Sequence, residues 1–490
     1  RSVGVTGVQT CALPIWEMTV SLEPIANMLR GEAKLRTHSG KVLPGDVFVA
    51  LSGLRTDGAS FIDEAVSRGA AAVVHARKAR ISRREGVVYA VVDNPARALG
   101  ALARAAFKTE SRLPKIIGIT GTNGKTTTAH LLHHLLAANG FSTGLIGTVH
   151  VSWPGTTLPA TMTTPDGLSL HEIMGRMVAD GVEYVVMEVS SHALAQERLA
   201  GLPVEVGIFS NLTQDHLDYH HDMDSYFAAK ARLFAGDHPG CARGAVSLDD
   251  AYGRRLKDVR PELMGYGLGA GDLRGRIAES GTWGMRLRME YRGREWELTT
   301  HLAGKHNASN LLACQSTGLL LGFEPERMLC LEHAAGAPGR LERVPNEQGL
   351  DIFVDYAHTP DALEKVSAAL KEMGFARLIT VFGCGGDRDA GKRPLMGRAV
   401  ARSADVAVLT SDNPRTEDPE SILDQIEPGL AGAPRVIREA DRRRAIGLAI
   451  ENMRPGDALL IAGKGHEDYQ IIGTEKRHFS DVETVREFVR

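Results

Sequence analysis

The feature that most constrains the fold is the run TGTNGKTTT at residues 120–128, which stands between an apolar segment and a helical pattern. KIIGIT before it predicts a strand, and TTTAHLLHHLLAANG after it predicts a helix ending at Asn139-Gly140. A strand, a glycine-containing loop and a helix in that order form a phosphate-binding loop, whose backbone N–H groups and helix N-terminus face an anion. We therefore predict a nucleotide site here, although Ile119 stands where the usual pattern begins with glycine.

Within this loop, a lysine that reaches the terminal phosphates and a hydroxyl that reaches a magnesium ion are expected at adjacent positions. Lys125 and Thr126 have this chemistry in the right register, which a ligand-free tight turn would not explain. The predicted ATP contacts in the loop are Gly121, Thr122, Asn123, Gly124, Lys125, Thr126 and Thr127.

The composition excludes several classes of protein. A chain of 490 residues is too long for one hydrophobic core. The net charge of −3 gives no reason to expect nucleic acid or an anionic membrane as a partner, and no apolar run approaches the roughly 20 residues of a membrane span. Five cysteines without a C-x-x-C pair argue against a zinc site or a disulfide framework. We expect a cytoplasmic, monomeric protein that acts on small molecules.

Strands and helices alternate along the chain in three segments, which predicts an α/β protein with parallel sheets covered on both faces. We predict an N-terminal domain over residues 18–112, a central domain over 113–335 and a C-terminal domain over 336–490. Residues 1–17 contain VTGVQTCALPI, which resembles a translated sequencing adapter, so we interpret them as non-native. Ligands of parallel sheets gather at the carboxyl ends of the strands, where TGTNGKTTT, EVSSH, CGGDRD, DNPR and GKGHED all lie.

Seven further segments carry a family resemblance. They are NLTQDHLDYHHDMDSYFAAKARLF, MEVSSHALAQERL, HNASNLLA, DYAHTPDAL, VFGCGGDRDAGKRPLM, SDNPRTEDP and AGKGHEDYQ. Together with TGTNGKTTT, which folylpolyglutamate synthases share, they resemble the Mur ligases from residue 35 to the C-terminus. The resemblance is to those members that add meso-diaminopimelate to UDP-MurNAc-L-Ala-D-Glu in peptidoglycan precursor synthesis.

The resemblance implies a central P-loop ATPase domain with a parallel sheet, flanked by an N-terminal UDP-binding α/β domain and a C-terminal Rossmann-like domain. It also implies that ATP converts a carboxylate into an acyl phosphate, which an amine then attacks, and that Mg²⁺ is the cofactor. Two anions must meet in that first step. At 4 Å two unit charges interact by about 4 kcal/mol at an effective dielectric constant of 20, so cations must cluster at the site.

The resemblance assigns roles to residues outside the phosphate loop as well. The catalytic residues it implies are Lys125, His216 and Lys230. The implied metal ligands are Thr126, Glu188, His216 and Lys230, the last carbamylated to N6-carboxylysine. Carbamylation requires a neutral amine, which a lowered lysine pKa would favour. The implied ATP contacts beyond the loop are Asn307, Asn310, Arg340 and Asp355.

The resemblance also assigns the two other substrates. The implied contacts to UDP-MurNAc-dipeptide are Ser39, Leu54, Arg55, Thr56, Thr163, Thr164, Ser190, Gln196 and Arg198. The sequence departs from the family at Met162, where asparagine is frequent, and at Gly40, where many members have arginine. The implied contacts to diaminopimelate are Arg388, Asp412, Asn413, Pro414, Arg415, Gly463 and Glu467.

Arg415 decides which amino acid is expected. Its planar fork suits the second carboxylate of meso-diaminopimelate, which lysine lacks, and Glu467 is expected to receive the distal ammonium. An unpaired buried group costs about 1–3 kcal/mol, so lysine should be disfavoured by about tenfold to a hundredfold.

Three other interpretations remain open from the sequence. A lysine-adding ligase would lack the arginine of DNPR, and a folylpolyglutamate synthase would need neither DNPR nor a UDP-binding domain. A phosphate-loop switch or transport ATPase would hydrolyse ATP without any amino acid, and it would leave DNPR and GKGHED without a role.

Overall fold

The computed structural model describes residues 21–53, 56–79, 81–235 and 240–489. Leu54, Arg55 and the interpreted non-native segment 1–17 lie outside the described residues. The chain divides into two compact units. The first comprises Arg1–Leu113, Pro165–Ala179 and Gln196–Leu202, and the second Pro114–Thr164, Asp180–Ala195 and Pro203–Arg490. The predicted three-domain boundaries stay a prediction.

The first unit is built on a parallel sheet of four strands in sequence order. The strands are β1 (Leu35–Arg36), β2 (Val47–Val49), β3 (Ala72–Ala76) and β4 (Val88–Val92). The helices are Glu23–Arg30, Ile62–Ser67, Pro95–Ala106 and Gly167–Ala179. The helix at Pro95 begins there because the Asn94 side chain accepts the N–H groups of Ala96 and Arg97 at 3.0 and 3.1 Å.

The second unit contains an eleven-stranded sheet whose centre is parallel. Its strands are β5 (Lys115–Thr120), β6 (Thr143–Ile146), β7 (His150–Trp153), β8 (Thr156–Pro159), β9 (Tyr184–Glu188), β10 (Val204–Phe209), β11 (Cys241–Ser247), β12 (Met264–Leu268), β13 (Leu273–Gly281), β14 (Gly284–Tyr291) and β15 (Arg294–Thr300). The spatial order is β15-β14-β13-β12-β11-β10-β5-β9-β6-β7-β8. Strand β5, which leads into the phosphate loop, pairs in parallel with β9 and β10.

Both edges of this sheet are antiparallel, which the sequence interpretation did not predict. Strands β13, β14 and β15 form one antiparallel edge, and β6, β7 and β8 form the other. The helices that accompany the sheet are Lys125–Ala138, Ser191–Ala195, Leu217–His220, Met223–Ala231, Ala251–Val259, Lys305–Leu320 and Pro325–Met328. The first of these packs against the core with four fully buried leucines, Leu131, Leu132, Leu135 and Leu136.

The C-terminal part of the second unit has a six-stranded sheet. Its strands are β16 (Glu342–Arg343), β17 (Asp351–Asp355), β18 (Leu378–Phe382), β19 (Val406–Leu409), β20 (Val436–Arg438) and β21 (Ala458–Ala462), in the order β16-β17-β21-β18-β19-β20. All pairings are parallel except that of β16 with β17. A separate hairpin joins β22 (Tyr469–Ile472) to β23 (Glu475–His478). The helices are Pro360–Glu372, Arg393–Ser403, Pro419–Ile426, Arg442–Glu451 and Asp481–Phe488.

The polar motifs lie where parallel strands end. The phosphate loop follows β5, Glu188 is the last residue of β9, DNPR follows β19 after two residues, and Gly463 follows β21 directly. Helices and mostly parallel strands therefore give the predicted α/β fold class. Among the described residues, no helix combines the length and apolar character that crossing a membrane requires.

Candidate active site

The phosphate loop is held by hydrogen bonds to Ser210 and Asn211, which directly follow strand β10. The Asn123 N–H donates to Asn211 Oδ1 at 2.9 Å, and Ser210 Oγ donates to the Asn123 carbonyl at 2.7 Å. Lys125 begins the helix, and its Nζ donates to the Gly121 and Thr122 carbonyls at 3.0 and 2.9 Å. Burial lowers the pKa of Lys125, and the nearby Glu188 carboxylate opposes this shift. The loop thus presents an ammonium group that its own carbonyls orient.

Gly124 and Gly140 offer a matched pair for testing how closely the loop is packed. Both have left-handed backbones, with φ of 85° and 84°, at opposite ends of the same helix. A Cβ on Gly124 would lie 2.4 Å from Asn310 Oδ1, whereas a Cβ on Gly140 would meet nothing within 4 Å. Asn310 has little room to move, because it is buried and accepts a hydrogen bond from Thr128 Oγ1 at 3.2 Å.

We predict that Gly140→Ala costs only the backbone strain of about 1 kcal/mol, as measured by chemical denaturation. Gly124→Ala should cost about 2–3 kcal/mol and should also weaken ATP binding, because Asn310 must be displaced. ATP affinity is measured by calorimetry on both variants. Equal effects of the two substitutions would contradict this account of the loop.

Glu188 forms a buried polar cluster beside the phosphate loop. Its side chain is 1% exposed, and Thr126 Oγ1 donates to its Oε2 at 2.9 Å. The Thr148 N–H and Oγ1 donate to Oε1 and Oε2 at 2.8 and 3.2 Å. A carboxylate with adjacent hydroxyl groups is a donor set that Mg²⁺ accepts. Within residues 21–53, 56–79, 81–235 and 240–489, His, Cys, Asp and Glu side chains do not come together in threes or more in a way that could hold a metal ion.

Lys230 is buried against the underside of the phosphate loop. It is 1% exposed, its Nζ donates to the Gly121 carbonyl at 2.7 Å, and the Tyr226 ring centre lies 4.6 Å from Nζ. Burial lowers the pKa of Lys230 well below its usual value, and the Lys125 ammonium lowers it further. Because the neutral amine is the form that reacts with carbon dioxide, this environment favours the predicted carbamylation.

Lys230→Ala is expected to lower ATP-dependent phosphate release, and short carboxylates such as acetate or formate should restore part of it because they replace a missing anion. The measurement is phosphate release across a carboxylate series, with chloride at equal ionic strength as the control. Carbamylation of the unchanged enzyme should increase as pH rises, since a larger fraction of the amine is then neutral. Absence of rescue in a folded variant would contradict an anionic role.

His216 occupies a more open position than Glu188 and Lys230. Its backbone is left-handed with φ of 52°, its side chain is 46% exposed, and its Nε2 lies 3.4 Å from Asp215 Oδ2. The ring lies 6.1 Å from that of Tyr226, whose hydroxyl is 3.2 Å from Thr122 Oγ1. His216 is thus linked to the phosphate loop through one aromatic residue.

The predicted adenine and ribose contacts form two groups. Asn310 Nδ2 donates to Asn307 Oδ1 at 3.3 Å, and Asn307 lines a cavity of about 420 Å³ with mostly apolar walls. Arg340 lies with its Cζ 4.9 Å from the Tyr356 ring centre, and its buried Nε has no hydrogen-bond partner among the described residues. Asp355 accepts the N–H groups of Leu341 and Ala357 at 2.6 and 2.8 Å. Burial raises the Asp355 pKa, although the Arg340 charge opposes this.

The predicted amino-acid site brings two arginine side chains to one glycine. Arg415 Nη1 donates to the Gly386 carbonyl at 2.8 Å, and it lies 2.9 Å from the position that a Cβ on Gly385 would occupy. Arg388 Cγ lies 3.7 Å from the same position. The Pro414 carbonyl accepts the Glu417 N–H at 3.2 Å and closes the turn between them. Two carboxylates accompany these arginines, because Glu417 accepts the Asp387 N–H and Asp387 Oδ1 accepts the Thr416 hydroxyl at 2.8 Å.

Two carboxylate residues, Asp412 and Glu467, belong to or contact the DNPR loop. Asn413 Nδ2 donates to Glu467 Oε2 at 3.0 Å, and Gln470 Nε2 donates to the Asp412 carbonyl at 2.7 Å. Asp412 Oδ2 is buried and has no hydrogen-bond partner in the described chain. It would lie 2.5 Å from a Cβ on Gly463, so any other residue at position 463 would collide with this oxygen. The DNPR loop and the residues around it therefore offer both guanidinium donors and carboxylate acceptors.

Two supporting residues were missed from the sequence. Arg393 is 1% exposed and binds Glu417 with both terminal nitrogens at 2.9 and 2.8 Å, which fixes the turn that carries Arg388. Lys464 is fully buried between Asn413 and Glu467. Both lie inside motifs quoted above, GKRPLM and GKGHED, and that position was the available signal.

The residues predicted to hold UDP-MurNAc-dipeptide occur in both units. In the first unit, Ser39 Oγ donates to Glu64 Oε2 at 2.7 Å, the Thr56 carbonyl accepts the Gly53 N–H at 2.9 Å, and Arg198 Nη2 donates to Gln196 Oε1 at 2.8 Å.

In the second unit, Thr163 Oγ1 lies 3.0 Å from Thr148 Oγ1. Thr164 Oγ1 donates to the Glu188 carbonyl at 2.8 Å and accepts the Ser190 N–H at 3.0 Å. The Thr pair is therefore joined to the same cluster as Glu188. Thr127, the last predicted loop contact, is buried in the first turn of its helix.

Family models match three successive stretches of the chain. They are described as "Mur ligase family, catalytic domain" over residues 34–107, "Mur ligase middle domain" over 119–318 and "Mur ligase, glutamate ligase domain" over 339–465. A protein of Lawsonia intracellularis is 52% identical over 92% of this chain and 95% of its own length. The chain belongs to the Mur ligase family. It is therefore an ATP-dependent ligase that forms an amide bond.

Named relatives of this Mur ligase agree with one another. The Lawsonia protein and one from Thermosynechococcus vestitus, 45% identical over 92% of each chain, are both named UDP-N-acetylmuramoyl-L-alanyl-D-glutamate–2,6-diaminopimelate ligase. A solved structure of a ligase with that name is 32% identical, with a TM-score of 0.71 over 93% of this chain and 94% of the other.

Proposed function

We propose that this Mur ligase joins meso-2,6-diaminopimelate to UDP-MurNAc-L-Ala-D-Glu at the expense of ATP, in the assembly of a peptidoglycan precursor. The name shared by the Lawsonia and Thermosynechococcus relatives supports both substrates. The observation that carries the choice of amino acid is the pair Arg415 and Arg388 beside Gly385, together with the acceptors Asp412 and Glu467 at the same DNPR loop.

The reaction has two steps. A carboxylate oxygen of the dipeptide attacks the γ-phosphorus of ATP and ADP leaves, which gives an acyl phosphate. The neutral amine of diaminopimelate then attacks the acyl carbon, phosphate leaves, and the amine loses a proton. Lys125 counters the phosphate charge in the first step, where two anions would otherwise repel each other.

Thr126 and Glu188, with His216 and a carbamylated Lys230, are the residues that would hold Mg²⁺. The unmodified Lys230 amine donates to a carbonyl, so it becomes a ligand only after conversion to the anionic carbamate. When bound, Mg²⁺ neutralises charge on the transferring phosphate.

The adenine would lie near Asn307 and Asn310, and Arg340 and Asp355 would contact phosphate and ribose.

The distal end of meso-diaminopimelate carries a carboxylate and an ammonium group. Arg415 and Arg388 can donate hydrogen bonds to a carboxylate. Glu467 and the unpartnered Asp412 Oδ2 can accept hydrogen bonds from an ammonium group. Lysine presents only the ammonium, so it would leave the two guanidinium groups without a carboxylate. The charge pattern therefore favours the diacid.

An amino-acid panel tests the proposal. Purified protein with saturating ATP and UDP-MurNAc-L-Ala-D-Glu is offered meso-diaminopimelate, L-lysine, L-ornithine and glutamate separately, and products are scored by mass. We expect efficient extension only with diaminopimelate, and phosphate release that requires both the nucleotide-sugar dipeptide and the amino acid. Equal extension with lysine, or ATP hydrolysis that ignores both substrates, would overturn it.

A further inference from the structure

Lys464 is a fully buried lysine in the proposed amino-acid site, and neither step of the proposed reaction assigns it a role. Its Nζ donates to Asn413 Oδ1 at 3.2 Å and to Glu467 Oε2 at 3.4 Å, and it lies 5.5 Å from the centre of the Tyr469 ring. Asn413 Nδ2 donates to the same Glu467 oxygen at 3.0 Å. Lys464, Asn413 and Glu467 therefore form a closed triangle of hydrogen bonds.

This triangle also fixes the surrounding chain. Asn413 Oδ1 accepts the Ile471 N–H at 2.9 Å, so the triangle connects the DNPR loop to the first strand of the β22–β23 hairpin. The Arg415 N–H donates to the Ile471 carbonyl at 3.0 Å in the same connection. The position of the Glu467 carboxylate thus depends on a buried ammonium rather than on solvent.

The charges around Lys464 explain why a cationic side chain is favoured at this position. The nearby Arg442 is fully buried and is paired with Asp481 through two hydrogen bonds of 2.8 Å, so that pair is neutral as a unit. Asp412 and Glu467 remain as two carboxylates on this side of the site. Without Lys464 they would repel each other and Glu467 would turn toward solvent, since its side chain is already 17% exposed.

We propose that Lys464 is a positioning residue that holds Glu467 and Asn413 ready for the distal ammonium of the incoming amino acid. This inference rests on the proposed function. Lys464 donates a hydrogen bond to one Glu467 oxygen and so fixes the direction of the carboxylate. The carboxylate is then already ordered when diaminopimelate binds. Removing Lys464 should therefore raise the KM for the amino acid and leave the ATP site unchanged.

Lys476 provides a matched control on the same ring. Its Nζ lies 3.6 Å from the Tyr469 ring centre, but it is exposed on β23 and makes no hydrogen bond to Asn413 or Glu467 in the described structure. Lys464→Met and Lys476→Met each remove one charge near Tyr469 while keeping an unbranched side chain. Only the first breaks the triangle.

The test is steady-state phosphate release with the full chain, varying diaminopimelate and ATP separately. We expect Lys464→Met to raise the KM for diaminopimelate by at least about tenfold, since a hydrogen bond to a charged group is lost, and to leave the KM for ATP within about twofold. Lys476→Met should match the unchanged enzyme. An unchanged KM for diaminopimelate, or equal rises for both substrates, would overturn the inference.

A double-mutant cycle separates positioning from a general loss of packing. If Lys464 acts through Glu467, then Lys464→Met should add less than about threefold to the KM of Glu467→Gln. Multiplicative effects would overturn the inference. Should Lys464→Met alone not fold, the double variant carries the test, because both charges leave together and no unpaired buried group remains.

The unchanged enzyme is assayed first in the same series. If it fails to extend the dipeptide with diaminopimelate, the proposed function fails and this inference with it. If it succeeds and the KM for diaminopimelate does not respond to Lys464→Met, only the role of Lys464 is overturned.

Discussion

Lys125→Met is expected to lower phosphate release by about 10³-fold while leaving the fold intact. The Lys125 ammonium is oriented by two loop carbonyls and is half-buried, so its charge is screened less than a surface charge at the place where phosphate charge develops. Methionine keeps an unbranched side chain that is one atom shorter, and it removes the charge. The loop itself should persist, because Asn211 and Ser210 hold its backbone independently of Lys125.

Lys115 is the matched control for this substitution. It lies at the other end of β5, with Nζ 5.4 Å from the Tyr184 ring centre and an exposed side chain. Lys115→Met removes the same charge from the same strand and should leave kcat within about twofold, as expected for a surface site. The readout is kcat with saturating substrates, alongside circular dichroism. A tenth or more of the activity remaining in Lys125→Met would show that the charge is supplied elsewhere.

The phosphate loop could be predicted because its evidence is local. Strand, loop and helix follow one another within residues 115–138, and the Lys125-Thr126 pair needs no knowledge of distant residues. The parallel centre of each sheet could be predicted for a similar reason, since buried strands read as continuous apolar runs. The strand predicted from KIIGIT is observed at Lys115–Thr120.

The antiparallel edge of the large sheet was missed although the sequence carries its signal. In β14, Met285, Leu287 and Met289 are fully buried, while the arginines at 286 and 288 alternate with them. That alternation is typical of a strand with one face on the core. The charged residues between the apolar ones make β14 unlike the continuous apolar runs that indicate strands buried on both faces.

Lys464 and Arg393 were missed for a different reason. A lysine or arginine in a sequence is most often solvated, and nothing in a short motif tells whether its charged end is buried. Burial depends on partners far along the chain: Lys464 needs Asn413, and Arg393 needs Glu417. Residue type can therefore indicate a binding motif, but the residues that orient its side chains become visible only in the packed structure.

Arg415→Ala is expected to lower kcat/KM for diaminopimelate by about a hundredfold, with little change for ATP. The substitution is a clean probe because the backbone of Arg415 is held on both sides: its N–H donates to the Ile471 carbonyl at 3.0 Å, and its carbonyl accepts the Gly473 N–H at 2.7 Å. Its φ of 52° is about as unfavourable for alanine as for arginine, so backbone strain changes little.

Selectivity gives the sharper measurement, because a loss confined to the guanidinium should affect only substrates with a distal carboxylate. Arg415→Ala should therefore reduce the preference for diaminopimelate over lysine by at least about tenfold, as the unpaired charge that disfavours lysine is removed. Arg477, exposed on β23 and paired with Glu475 at 2.8 Å, is the control, and Arg477→Ala should keep the original preference. Equal losses for ATP and diaminopimelate, or an unchanged preference, would mean that Arg415 supports the loop without contacting the substrate carboxylate.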